Sequence, residues 1–248
     1  MNELRSAFCQ ASKRNAVLSI VFIVVLVFLA SLDFLVDQFR RMSLLPSHYH
    51  NKFILNSIRS DTIAPFIPIL STLPFSSIYI DDIKSQFIRV RLIRSNYKSY
   101  LCGRIFTCFV LGGGVLVAGI IIAWSLSILL LLPMERLSEE SFDALSELNG
   151  VLFLLFLNGG LWSVMGMAMS SIMESKYIAH ISPFVFYYLL VIISERYFFD
   201  IYLLYPRNWI STEAWPYGYW GISFFLIEIT LILSLLFIYK ARKKILEQ

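Results

Sequence analysis

Glu228 sits at the centre of residues 217–239, a run that holds no other charged side chain. At about 1.5 Å per helical residue it stands about 16 Å from the start of that run, near mid-membrane if the run is a span. An ionised acid there costs on the order of 2.5–3.5 kcal/mol, so it should face the bundle or a wet cavity, be paired, or be protonated. Two readings stay open. One is a contact for a cationic or hydrogen-bonding substrate group, or a lock between helices; the other is a neutral acid bonded to a nearby Ser, Tyr or Asn. Met165, Met169 and Met173 recur every four residues, beside Asn158, Gly159, Gly160 and Trp162. Thioethers at that spacing suit an adaptable wall for amphipathic cargo and equally suit plain helix packing, with Asn158 bonding across helices.

Other chemistry is missing from the chain. His48, His50 and His180 are scattered, with no HExxH and no paired His-acid set, so no metal site is expected. His48 and His50 flank Tyr49 in an expected outer loop and read as ordinary solvated histidines, with a weak surface metal site as the alternative. The spans hold no GxSxG and no Ser with a His base one or two turns away. Gly112, Gly113 and Gly114 lack the Lys-Ser/Thr of a phosphate-cradling loop and read as a packing or bending element. The chain is therefore not expected to hydrolyse ATP or to carry a cofactor of its own.

Those residues need elements to hold them, and composition names the kind. The 248 residues are 58% hydrophobic and 15% charged, with a mean hydropathy of +0.70. A soluble domain runs near 45–50% apolar and about 25% charged, so an integral membrane protein is expected, with no fused ATPase and no nucleic-acid role for the +4 charge. Apolar runs cover residues 16–36, 62–80, 105–132, 151–173, 177–194 and 217–239, each near the roughly 20 residues that cross a bilayer. The second carries Pro65, Pro68 and Pro74 and is expected to be kinked or partly re-entrant. The first is too long for the apolar core of a cleaved signal peptide. Lys and Arg divide 14 to 7 between alternate connecting segments, which predicts six spans with both termini in the cytoplasm. Cys9 and Cys102 then lie inside and Cys108 in a span, so no disulfide is expected. Glu135, Glu139, Glu140, Asp143 and Glu147 form an outer acidic loop, and residues 195–216 an outer segment rich in Tyr and Trp that suits the headgroup level.

The cytoplasmic segment DDIKSQFIRVRLIRSNYKSYLCGR (81–104) is basic and amphipathic. At helical spacing Ile83, Phe87 and Val90 or Arg91 share a face, while Lys84, Arg91 and Arg94 or Lys98 form a basic stripe. Such a helix would lie on the inner membrane surface, held by anionic lipid, or dock into a partner protein. A stub over residues 3–14, with Leu4, Phe8 and Ala11 on one side and Arg5, Lys13 and Arg14 elsewhere, suits an interfacial helix. In this order of elements the chain resembles the permease subunits of ABC-2 type ATP-binding-cassette transporters. The likeness is carried by YIDDIKSQFIRVRLIRSNYKSYLCGRI (79–105), similar to the family's coupling region. It is carried also by ESKYIAHISPFVFYYLLVIISERYF (174–198), similar to its K-Y-x-A-x-x-x-P-F lead-in to the fifth span. Gln86 departs from the Gly that relatives often carry at that point.

The resemblance implies an all-α permease with an N-terminal elbow helix and a cytoplasmic coupling helix. Its partners would be a cytoplasmic ATPase that binds ATP and Mg, and a second permease of the same or a related chain. It implies ATPase docking on Asp82, Ile83, Phe87, Arg91 and Arg94, and outer helices over 195–216 that cap the pathway. The expected function is an exporter subunit of the bacterial cell membrane for an amphipathic peptide, drug or lipid-linked molecule, with Glu228, Asn158, Met165 and Met169 along the pathway. A bacteriocin-immunity permease is the alternative in the same class. A membrane scaffold or sensor, or an intramembrane enzyme, are alternatives in others.

Overall fold

Apolar runs without proline become long helices, and the prolines decide where a helix breaks. The computed structural model describes residues 13–32, 35–36, 45, 47–85, 97–135, 143–198, 201–212 and 215–246. Its helices in chain order are α1 (Lys13–Ala30), α2 (Tyr49–Arg59), α3 (Phe66–Thr72), α4 (Ile78–Lys84), α5 (Tyr97–Leu131), α6 (Asp143–Met173), α7 (Lys176–Tyr197) and α8 (Gly218–Leu246). Short 3-10 turns lie at Leu132–Met134, Tyr202–Leu204 and Pro206–Trp209. Among the described residues the only strand-like contact is one isolated bridge between Leu45 and Glu135. The chain is thus all-helical where described.

Four stretches, Tyr97–Met134, Ser146–Met173, Lys176–Tyr197 and Gly218–Lys244, are long and apolar enough to cross a membrane. Asn15–Ala30 is apolar but shorter. The second expected span resolves into two seven-residue helices, α3 and α4, with turns between them. Pro74 lies in that break; it has no N–H for the carbonyl four residues back, which interrupts the helical ladder. Several helices outrun their apolar cores. α5 starts at Tyr97, α6 at Asp143, and α8 continues to Leu246, because backbone bonding carries a helix on through polar flanks.

Contacts along the helices set their directions. Cys108 meets Ser163, the faces of Phe109 and Gly160 touch, Gly112 meets Gly159, and Gly113 meets Phe156. Ascending numbers on α5 pair with descending numbers on α6, so the two are antiparallel. Gly150 packs on Tyr219 and Glu174 pairs with Lys244 at 2.5 Å, so α6 and α8 run parallel. The bundle therefore has one end carrying Glu135 and Glu147 and another carrying Asp82 and Lys244.

α6 is the hub, packed by α5, α8, α7 and α3. Glycine lets it be so. A Cβ on Gly113 would stand 2.3 Å from the Phe156 carbonyl oxygen, and one on Gly166 would stand 2.2 Å from that of Ala179. Ala179 lies four residues before Pro183, inside α7. The proline leaves that carbonyl without its helical N–H, and the bare α-carbon of Gly166 packs against it.

The segment expected as a first outer loop contains a packed helix instead. α2 buries Tyr49, His50, Asn51, Phe53, Ile54, Leu55, Ser57 and Ile58, a set with helical period. Phe53 lies 5.7 Å from Phe28 of α1, Ser57 bonds Ser31, and the Trp124 indole N–H donates to Asn51 Oδ1 at 2.8 Å. His50, expected to be solvated, is buried: its backbone N–H reaches Glu135 at 2.7 Å and its Nδ1 lies 2.9 Å from the same carboxylate. Packing of the apolar face of α2 draws both groups in. Burial pushes the Tyr49 phenol up to about 12. Of the expected interfacial helix, residues 3–12 lie outside the described residues.

Candidate functional site at the Asp82 end

α4 and the first turns of α5 stand side by side at the end of the bundle that carries the basic segment. Tyr100 and Arg104 fall four apart on α5, one above the other, and both turn toward Asp82 on α4. The Tyr100 hydroxyl donates to Asp82 Oδ2 at 2.6 Å, and the Arg104 guanidinium pairs with the same oxygen. Arg104 is 2% exposed and Asp82 7%. Both charges are out of solvent, so their mutual attraction is little screened, and losing either partner strands the other. The guanidinium carbon lies 5.5 Å from the Phe75 ring centre and 5.4 Å from that of Tyr100, adding cation–π contact. Arg104 Nε and Nη1 have no hydrogen-bond partner among the described residues.

A polar seam continues upward from this knot. Ser76, in the break between α3 and α4, lies 3.1 Å from the Ser163 hydroxyl, and Cys108 lies 3.0 Å from it. Tyr79 of α4 meets Phe237 of α8 edge-on at 4.8 Å. Asp81 pairs with Lys176 at the start of α7, outside the apolar core. α4, before residues 86–96, is thus fastened to α5, which follows them, and to α7 and α8. Buried and paired, Arg104 is not a solvated inner cation, and leaving it out of the charge tally gives 13 to 7.

The expected docking residues divide. Asp82 points into the bundle and is engaged there, while Ile83 is half-buried against the apolar cluster of α4, α5 and α8. Phe87, Arg91 and Arg94 lie outside the described residues. The expected pathway residues divide as well. Asn158, Trp162, Met165 and Met169 fall on one stripe of α6; the first three are buried, and Met169 is half-buried. Asn158 Oδ1 has no hydrogen-bond partner among the described residues. Glu228 is exposed on the outer side of α8 and does not join that stripe.

At the opposite end the aromatic segment folds inward. Trp209 is 3% exposed and stacks on Trp162 of α6, with ring centres 5.7 Å apart. Trp162 also meets Tyr187 of α7, and Phe225 of α8 touches both Trp209 and Trp215. Arg207 pairs with Asp61 at 2.7 Å, tying this plug to the turn before α3. Burial raises the Tyr205 phenol, Glu195 adds to the rise and Arg207 opposes it. Composition pointed to headgroup anchoring for these rings; the buried Trp162–Trp209 stack was not legible, because it joins residues 47 apart in the chain.

Among the described residues no three His, Cys, Asp or Glu side chains are grouped so as to hold a metal ion. Compared with known proteins, the chain matches no family model, no curated protein and no solved structure.

Proposed function

We propose that this chain is the membrane-spanning permease subunit of an exporter of the ABC-2 type, moved by a separate ATPase that binds ATP and Mg. The observation that carries the reading is the buried Asp82–Arg104–Tyr100 knot, which fastens both stems of the basic segment 86–96 to the bundle. A push on that segment from a docked partner would reach α4 and α5 as one unit, and α7 and α8 through Lys176 and Phe237. Asp82 then serves as an anchor of the segment, and Ile83, Phe87, Arg91 and Arg94 as its docking surface. Six crossings with both termini in the cytoplasm fit the antiparallel pairing of α5 with α6, the parallel run of α6 and α8, and the charge tally. In this reading the α6 stripe of Asn158, Met165 and Met169 borders a pathway closed at the level of Trp162 by its stack with Trp209, for an amphipathic peptide, drug or lipid-linked molecule.

The test is pull-down of the full chain from membranes with identification of its companions. An ATPase subunit is expected to co-purify, and Phe87→Ala with Arg91→Ala should release it from a permease that still folds. If no ATPase accompanies the chain, or the double variant holds it at full strength, the docking reading fails and a scaffold role takes its place.

A further inference from the structure

Glu228 has no place in the knot, the pathway stripe or the plug. It is exposed on α8, and it forms no hydrogen bond or ion pair with any described residue. The surface around it is apolar and ordered by the helix: Trp220, Phe224, Leu231, Leu235 and Tyr239 are between 60% and 75% exposed and follow one another at steps of four or seven, with Glu228 filling the gap of seven. Exposed aromatic residues stand at both ends of this stripe, Tyr217 and Trp220 at one and Tyr239 at the other, where a membrane's interfaces would lie. Glu228 is eleven residues from each end and so falls at the hydrocarbon midplane. Lipid offers nothing there for a carboxyl group to bond.

From this geometry we infer that the outer face of α8 is covered in the membrane by the same face of a second copy, with the two Glu228 carboxyl groups bonded to each other across a two-fold axis. A two-fold contact brings each residue of a stripe against its own counterpart. A carboxylic acid is its own complement, since each group donates its O–H to the carbonyl oxygen of the other and neither is left unpaired. Among the described residues the long apolar helices offer it no charged counterpart. Across residues 105–131, 151–173, 177–194 and 218–239, Glu228 is the sole Asp, Glu, Lys or Arg, so contact with a different face would meet no charged partner. The large side chains around it pack along the length of the helix, and the acid pair sets register and orientation, as single polar groups do in apolar helix pairs. This inference rests on membrane embedding alone and not on the transport reading.

The experiment uses the full chain without any ATPase, in liposomes of neutral lipid, with Cys9 and Cys102 replaced by Ser. Leu231→Cys, on the stripe, should form a disulfide-linked dimer on oxidation, while Val21→Cys, on the exposed face of α1, should not. Energy transfer between labelled copies should show Glu228→Gln pairing as well as the unaltered chain, because an amide also donates and accepts. Glu228→Leu should weaken pairing about tenfold while melting at the same temperature in detergent. Cross-linking through Val21→Cys but not Leu231→Cys would overturn the inference, and so would pairing of Glu228→Leu that is unchanged or tighter.

Discussion

α6 and α8 are built from similar material and lie side by side in parallel, yet 83% of the most apolar window of α6 is buried and only 28% of that of α8. The buried helix is the less apolar of the two. It carries Gly150, Gly159, Gly160 and Gly166 with Asn158, Ser163, Ser170 and Ser171, while α8 presents Trp220, Phe224, Leu231 and Leu235 outward. In water the greasier helix would take the centre. In a membrane, lipid tails serve large apolar side chains as well as protein does, and the centre goes to small residues that let backbones meet and to polar groups that need partners. Hydropathy therefore finds helices that span, and residue size decides which one the others surround.

The comparison breaks most clearly where a side chain is forced into the hub. Gly166→Val drives a branched side chain into the Ala179 carbonyl, so no monodisperse protein is expected on size exclusion in detergent. Phe224→Ala, at a 72% exposed site, should leave the chain folded and monodisperse. Equal behaviour of the two variants would undo the contrast. Next in size is Asp82→Ala, which strands Arg104 among apolar rings and should cost about 3–5 kcal/mol in denaturant unfolding. Asp82→Leu with Arg104→Met removes both charges and should recover much of that loss. The sharpest contrast is between neighbours. Gly113→Ala should cost about 1–3 kcal/mol, since its Cβ meets Phe156. Gly114→Ala, with open space around it, should stay within about 1 kcal/mol or stabilise α5 by its better helix propensity; both are read as melting shifts.

Much of the helical plan was legible from local pattern. Four apolar runs became long helices because each was long and, Glu228 apart, free of charge, and Pro74 marked the break between α3 and α4. What local pattern missed lies at long range. α2 showed a helical period in Tyr49, Phe53 and Ser57, but only Phe28, Ser31, Trp124 and Glu135 explain why it is buried. From sequence Asp82 is expected on a docking surface and not in the core, because its partners stand 18 and 22 residues further on.

By itself the sequence determined a helical, lipid-compatible chain with a basic segment between two helices and one acid in the middle of the last. The tertiary structure decided that Asp82 turns inward, that His50 and Trp209 are buried, and that Glu228 faces out. The physical reason is that lipid contact does not rank apolar faces against one another. The direction each helix turns is settled by close glycine contacts and by buried polar groups finding partners, and those depend on residues far apart in the chain.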